Sequence, residues 1–447
     1  MAGWREAIGF TDLQRRLGDA LPDGGELQVT QVEMCVDSDD YLPDARDVQL
    51  IGKKINNRSG GRGISDHATI VGRYYLGQMS IGSGVVYMDS YEANNWAGFG
   101  LLQVATSRLP RPETSPIQNH SWIGSFGSAS LDSDTLRRVD FMVERDGVLV
   151  TAGVKNGAGT PVPELVCSAY NVVAVGVSSG RSSYGPTRFE TAGRIKPDIV
   201  APLDATSWAT PVVGSSASLL IQAIHTTNAL GFVDEDRRLA ARPLLVKALL
   251  MGGATKDEWP DWHRGFADKG HDPRVPLDYR YGAGELNIDN SYRILAAGRQ
   301  SSGSVGLTGW DVATAVPDRP QRYTFEVRPN DRVRSASFLV AWHRRITPGS
   351  GDPIALTPSL ADINLRLYRQ TAEGRELVDA SLSAVDNVEH IFQRELRPGT
   401  YVLEVSTDRN WMYAVTWDVQ TDTGLPVQDR TAPLLVEAKP APSAELV

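Results

Sequence analysis

The 447 residues contain only two cysteines, Cys35 and Cys167. Two cannot make a disulfide framework. One bridge is open to them, but two buried free thiols are the expectation, since free Cys packs as a small apolar side chain. No apolar run approaches the roughly 20 residues that a membrane-spanning helix needs. The first residues, Met1-Ala2-Gly3-Trp4-Arg5-Glu6-Ala7, hold no signal-type apolar stretch, so no export signal is visible and the compartment stays open. Basic residues are in deficit, with 45 Lys+Arg against 54 Asp+Glu and a net charge of −9. That argues against a general nucleic-acid binder, though it leaves room for a local basic patch. There is no CxxC pair, no zinc-type His-Glu motif and no phosphate-cradling Gly loop, so no metal or nucleotide is expected in catalysis. Histidine is scarce, at seven residues, so chance matches to a catalytic His are few.

What is present is a foldable chain, 41% hydrophobic and 22% charged, long enough for two or three domains. Residues 1–25 read as a leader, with a helix from Thr11 to Leu21 capped by Thr11 and broken at Pro22-Asp23-Gly24-Gly25. Strand signals follow at Leu27–Val32, Val85–Met88, Val148–Val150 and Val172–Val177. Short apolar runs of this kind suit strands buried on both faces. Helical patterns lie between them, from near His67 toward Leu76, and after Asp132 or Ser133 with Leu136, Val139 and Val143 on one face. A third begins near Ser207 and is small or apolar almost all round through Ile221, as a buried central helix is. Alternating strands and helices over residues 26–300 predict a layered α/β domain with a mostly parallel sheet.

Beyond Ser301-Ser302-Gly303-Ser304 the helical periodicity fades. Tyr323–Val327, Ser337–Trp342, Ile363–Tyr368 and Tyr401–Val405 read as short strands separated by turn residues. They predict an all-β antiparallel sandwich over residues 301–430, with residues 431–447 a loose tail.

The strongest local signal is Ala205-Thr206-Ser207-Trp208-Ala209-Thr210-Pro211. A Ser sits where a loop enters a buried helix, and Pro211 is tolerated in a first helical turn. Helix N-termini offer free N–H groups and positive potential to developing negative charge. Ser207 also reads simply as an N-cap. The preceding run is Gly193-Arg194-Ile195-Lys196-Pro197-Asp198-Ile199-Val200-Ala201-Pro202. Together the two resemble the subtilisin-like serine peptidases, whose nucleophile lies in a Gly-Thr-Ser-Met-Ala-x-Pro motif after a Lys-Pro-Asp run. The resemblance puts Ser207 at the nucleophile. Asp66-His67-Ala68-Thr69-Ile70-Val71-Gly72 resembles the family's His-Gly-Thr-His-Val-Ala-Gly helix start, which makes His67 the general base. Ala68 and Ile70 depart from that motif, without removing a proton acceptor.

In the family an Asp at the end of the first core strand orients the base. Here the strand ends in Glu33, and Asp37 is the fallback. The family's oxyanion donor is an Asn in a turn after a core strand. Here Asn156, displaced by two residues in Val154-Lys155-Asn156-Gly157, takes that role beside the Ser207 N–H. Substrate backbone would run along Ser121, Trp122, Ile123 and Gly124, which stand where the family has its Ser-Leu-Gly-Gly strand. Trp122 also reads as core, and His120 as a structural neighbour. The resemblance covers residues 26–300, through Leu245–Met251 and Tyr281–Asn287. It implies a serine endopeptidase acting on protein or peptide substrate, with oligomeric state open. A loop shortened to Leu203-Asp204-Ala205 and the Glu33 replacement sustain the rival expectation, a catalytically silent binding or scaffold protein. An α/β-hydrolase is disfavoured, because the order Glu, His, Ser is opposite to that fold's and no Gly-x-Ser-x-Gly elbow appears. The acidic loop Asp37-Ser38-Asp39-Asp40 with Asp44 and Asp47 reads as solvated. Structural calcium, common in the family, is the second reading, against the missing Gly and terminal Glu of an EF-hand loop. Trp259–Arg264 reads as a surface loop or a groove wall.

Overall fold

The computed structural model describes residues 3–35, 39–226, 230–266 and 269–422. The expected tail at 431–447 and the fallback carboxylate Asp37 lie outside them.

A seven-stranded sheet is the frame of the first part of the chain. Its strands are β1 (Gln28–Glu33), β2 (Lys54–Asn57), β3 (Tyr87–Glu92), β4 (Ile117–His120), β5 (Leu149–Gly153), β6 (Val173–Val177) and β7 (Ile199–Ala201). Their order is β7-β6-β5-β4-β1-β3-β2, and every pairing is parallel. β5 and β6 are buried at every residue, as strands covered on both faces must be. Three helices matter for the site: α1 (Asp66–Tyr75), α2 (Ala129–Asp146) and α3 (Thr206–Thr226). α3 is buried along most of its length, and Ala, Ser and Gly positions let it pass close to the sheet. An added Cβ on Gly214 would meet the Tyr75 ring at 3.0 Å. Two later helices, α4 (Pro243–Gly252) and α5 (Ile288–Ala296), complete this part.

Two sheets follow. The strands are β8 (Gly303–Ser304), β9 (Thr308–Ala315), β10 (Gln321–Val327), β11 (Val333–Ala341), β12 (Ile363–Thr371), β13 (Gly374–Ser381), β14 (Val388–Gln393), β15 (Gly399–Thr407) and β16 (Trp411–Thr421). One sheet runs β8-β10-β15-β12-β13 and the other β9-β16-β11-β14. Phe325, Leu365 and Leu403 of the first share a core with Phe338, Val415 and Trp417 of the second. The chain is thus an α/β layered unit with a parallel sheet, followed by an all-β unit. The pairing of β8 with β10 is parallel, which departs from the expected all-antiparallel pattern.

The two units share one apolar core, since Leu339, Ala341, Val388 and Ala414 pack into the cluster built on α3 and α4. The contact is also polar. Arg344 lies 2.6 Å from buried Asp140 and pairs with Glu190. Asn171 and Arg344 exchange hydrogen bonds at 2.8 Å. Asp198 of the Lys-Pro-Asp run is equally structural. Burial alone would raise its carboxyl, but Lys196 at 2.7 Å and Lys247 at 3.7 Å hold it low.

Several local expectations shift. The leader helix is Phe10–Leu17, preceded by Gly9 in a left-handed conformation, with no side-chain cap from Thr11. Val85 lies outside the strand, which starts at Tyr87. α2 starts at Ala129, so Asp132 is inside the first turn, where it accepts from Ser125 Oγ and Phe126 N–H. Both cysteines are free, with Cys167 buried and Cys35 partly so. No described helix is long and apolar enough to cross a membrane.

Candidate active site

In a parallel sheet, loops that can hold a ligand gather at the carboxyl ends of the strands. Glu33 is the last residue of β1, Ser121 follows β4, and Asn156 follows β5. The N-termini of α1 and α3 arrive at this region with His67 and Ser207.

His67 is the second residue of α1, whose start is fixed by Ser65. The Ser65 Oγ accepts from the Ala68 N–H at 3.2 Å. The ring Nδ1 lies 2.8 Å from Glu33 Oε2. Glu33 is 1% exposed and His67 36% exposed at the side chain. Gln31, two residues earlier on the same face of β1, donates from Nε2 to Glu33 Oε1 at 3.3 Å and to Ala68 O at 2.9 Å. Burial would lower the His67 imidazole, but the Glu33 hydrogen bond and charge outweigh it and leave it above its ordinary value. Burial pushes the Glu33 carboxyl upward against the pull of His67. With Nδ1 committed to Glu33, Nε2 is the nitrogen left for chemistry.

Ser207 is the second residue of α3. Its N–H is one of those that a helix start leaves without an intrahelical acceptor. Its Oγ lies 3.5 Å from Ser121 O, and Ser121 Oγ donates to Ser207 O at 3.0 Å. The link to His67 runs through the next residue, because the Trp208 indole packs on the His67 ring with centroids 5.3 Å apart. Tyr74 stacks on Trp208 at 6.1 Å. Glu33 and His67 therefore touch, while Ser207 makes no hydrogen bond to the imidazole and is linked to it only through its neighbour Trp208.

Asn156 is exposed, and its Oδ1 accepts from Thr206 N–H at 2.9 Å and Thr206 Oγ1 at 3.1 Å. An N–H donor fixes that atom as the amide oxygen. The Nδ2 group is thus turned away from Thr206 and keeps both N–H donors. Ser121 is buried, tied by Asn119 Nδ2 at 3.0 Å. Trp122 is core at the side chain, packed on Trp96 and His120. Ile123 is 39% exposed, and Gly124 pairs with Leu165 in an antiparallel bridge. Burial pushes the His120 imidazole down to about 3, which leaves it neutral and no second base.

The acidic loop is largely engaged. Asp44 pairs with Arg46 and Asp47 with Arg73, and among the described residues no group of three His, Cys, Asp or Glu could hold a metal ion. Reading by sequence missed Gln31, Trp208 and Thr206. The period-2 spacing of Gln31 from Glu33 was a usable signal. Trp208, standing where the family motif has Met, was another. Thr206 gave none.

No protein-family model matches the chain, and no curated protein matches it. Among solved structures, the prenylagaramide maturation protease PagA is 18% identical, with a TM-score of 0.41, covering 64% of this chain and 98% of that one. A mutant of the protease domain of PatA is 18% identical, with a TM-score of 0.38, covering 62% of this chain and 98% of that one. Likeness at this level leaves the function to be argued from the site.

Proposed function

We propose that the chain is a serine endopeptidase of subtilisin-like type, working through Ser207, His67 and Glu33. The observation that carries the reading is the 2.8 Å bond from a buried carboxylate to His67 Nδ1, with the His67 ring packed on Trp208, the neighbour of Ser207 on the first turn of a buried helix. That is the arrangement a hydroxyl nucleophile requires: a base held in one tautomer, and free N–H groups near the attacked carbonyl. Glu33, His67, Asn156 and Ser207 also stand in the family's chain order.

In this mechanism Ser207 Oγ attacks the scissile carbonyl carbon as its proton passes to His67 Nε2. The carbonyl oxygen becomes an oxyanion, held by Ser207 N–H and Asn156 Nδ2. Glu33 stabilises the imidazolium without taking its proton. His67 then protonates the leaving amine and the C–N bond breaks, which leaves an acyl ester on Ser207. Water attacks that ester with His67 again as base, and the acid product leaves.

The rival reading, a silent binding protein, draws on the missing Ser207–His67 hydrogen bond and the short 203–205 loop. Catalytic hydrogen bonds are often long in free enzymes and tighten with substrate. The test is turnover of an unfolded protein such as casein by the wild type and Ser207→Ala. Loss of cleavage only in the variant supports the peptidase. A folded wild type that cleaves nothing favours the binding protein.

A further inference from the structure

The carboxyl edge of the sheet extends past the oxyanion turn. Ser121–Gly124 follow β4, Asn156 follows β5, and β6 is the next strand outward. The loop after β6 lies against the Asn156 turn. Asn156 faces Ser182 in an antiparallel bridge. The Gly157 N–H donates to Arg181 O at 2.8 Å, and the Ser183 N–H to Lys155 O at 2.7 Å. Residues 181–184 therefore border the candidate oxyanion donor on the side away from Ser121–Gly124.

Positive charge gathers there. Lys155 and Arg181 are exposed. Arg280 comes from the turn before α5 and packs on Gly180, where an added Cβ would meet Arg280 Cδ at 2.9 Å. Its guanidinium lies 5.1, 5.5 and 5.9 Å from the ring centroids of Tyr184, Tyr279 and Tyr281. Trp259 stacks on Tyr281 at 4.0 Å. Arg280 Nε is buried without a partner. None of these three cations takes part in an ion pair among the described residues. Elsewhere buried Arg344 and Arg264 are matched to carboxylates. A local cationic cluster in a chain of net charge −9 attracts anionic partners and repels cationic ones.

We propose that Lys155, Arg181 and Arg280 form a subsite for an acidic side chain of the substrate, on the leaving-group side of the scissile bond. This rests on the peptidase reading, which puts the acyl side of the substrate on Ser121–Gly124. Arg280 suits the task because its planar group is already held among aromatic rings and loses little freedom on pairing with a carboxylate.

The test uses internally quenched peptides identical up to the cleaved bond, with Asp and Glu after it in one and Asn and Gln in the other. The wild type is expected to prefer the acidic peptide in kcat/KM by about fivefold to tenfold, as a few exposed ion pairs allow. The preference shrinks with added salt. Arg280→Gln, and separately the surface double variant Lys155→Gln/Arg181→Gln, bring the ratio toward one. Equal cleavage of the two peptides by the wild type overturns the subsite. If neither peptide is cleaved, the peptidase reading fails, and peptide binding to Ser207→Ala followed by fluorescence anisotropy decides the subsite separately. Tighter binding of the acidic peptide keeps it, and equal binding removes it.

Discussion

Glu33 is one methylene longer than the Asp that the sequence resemblance leads one to expect, and its carboxylate still meets the imidazole. The carboxylate ends the strand fully buried, accepts from Gln31, and still reaches His67 Nδ1 at 2.8 Å. Glu33→Asp shortens that reach, and Glu33→Gln removes the charge that stabilises the imidazolium. Peptide hydrolysis is expected to fall by about 10³–10⁴ in kcat for Glu33→Gln, and by less for Glu33→Asp, with the fold intact by circular dichroism. The same pair sets the pH dependence. In the proposed mechanism only neutral His67 accepts the Ser207 proton, and Glu33 holds its imidazole above the ordinary value. The acid limb of kcat/KM should therefore lie above the ordinary imidazole value of about 6.5, and Glu33→Gln should move it down. An acid limb below that value in the wild type contradicts the Glu33–His67 coupling.

Among the elements, the start of α3 does most to make the site. Asn156 Oδ1 caps it from outside by taking Thr206 N–H, and this leaves the amide nitrogen turned away from Thr206. In the proposed mechanism one residue thus serves both the helix and the oxyanion. Asn156→Ala is expected to lower kcat by about 10²–10³ and stability by about 1 kcal/mol. Asn156→Asp keeps the acceptor and loses the donor, so it should restore stability without restoring rate. Chemical denaturation and steady-state kinetics separate the two effects.

Much of this element was legible in the sequence. Small residues all round α3, apolar runs in β5 and β6, and the His67 helix start all follow from periodicity and local motifs. The Thr206 cap was not legible, because it joins residues fifty positions apart through a turn whose path depends on β5. Nor was the burial of Trp122 against Trp96 and His120, which local pattern alone leaves undecided. The strand at Tyr87–Glu92 was placed too early because apolar Val85 and Val86 precede it, while polar Asp89 and Ser90 lie buried within it.

For the whole molecule, the β unit is part of the structure that carries the site. Its Leu339, Val388 and Ala414 complete the core around α3 and α4, and Arg344 neutralises Asp140 and Glu190 where neither meets water. Removing one member of a buried ion cluster leaves its partners uncompensated. Arg344→Met is expected to cost about 3–5 kcal/mol and to lower one cooperative transition that includes both units. Two separate transitions in differential scanning calorimetry would show that the units fold independently and that the shared core carries little weight.

The central claim is a hydroxyl at Ser207 made nucleophilic by His67. The most direct measurement is reaction of the intact protein with a fluorophosphonate, followed by mass spectrometry of the modified peptide. The account predicts a single adduct on Ser207 that forms far more slowly in His67→Ala. An unmodified Ser207 in folded protein, an adduct on another serine, or labelling indifferent to His67 would contradict it.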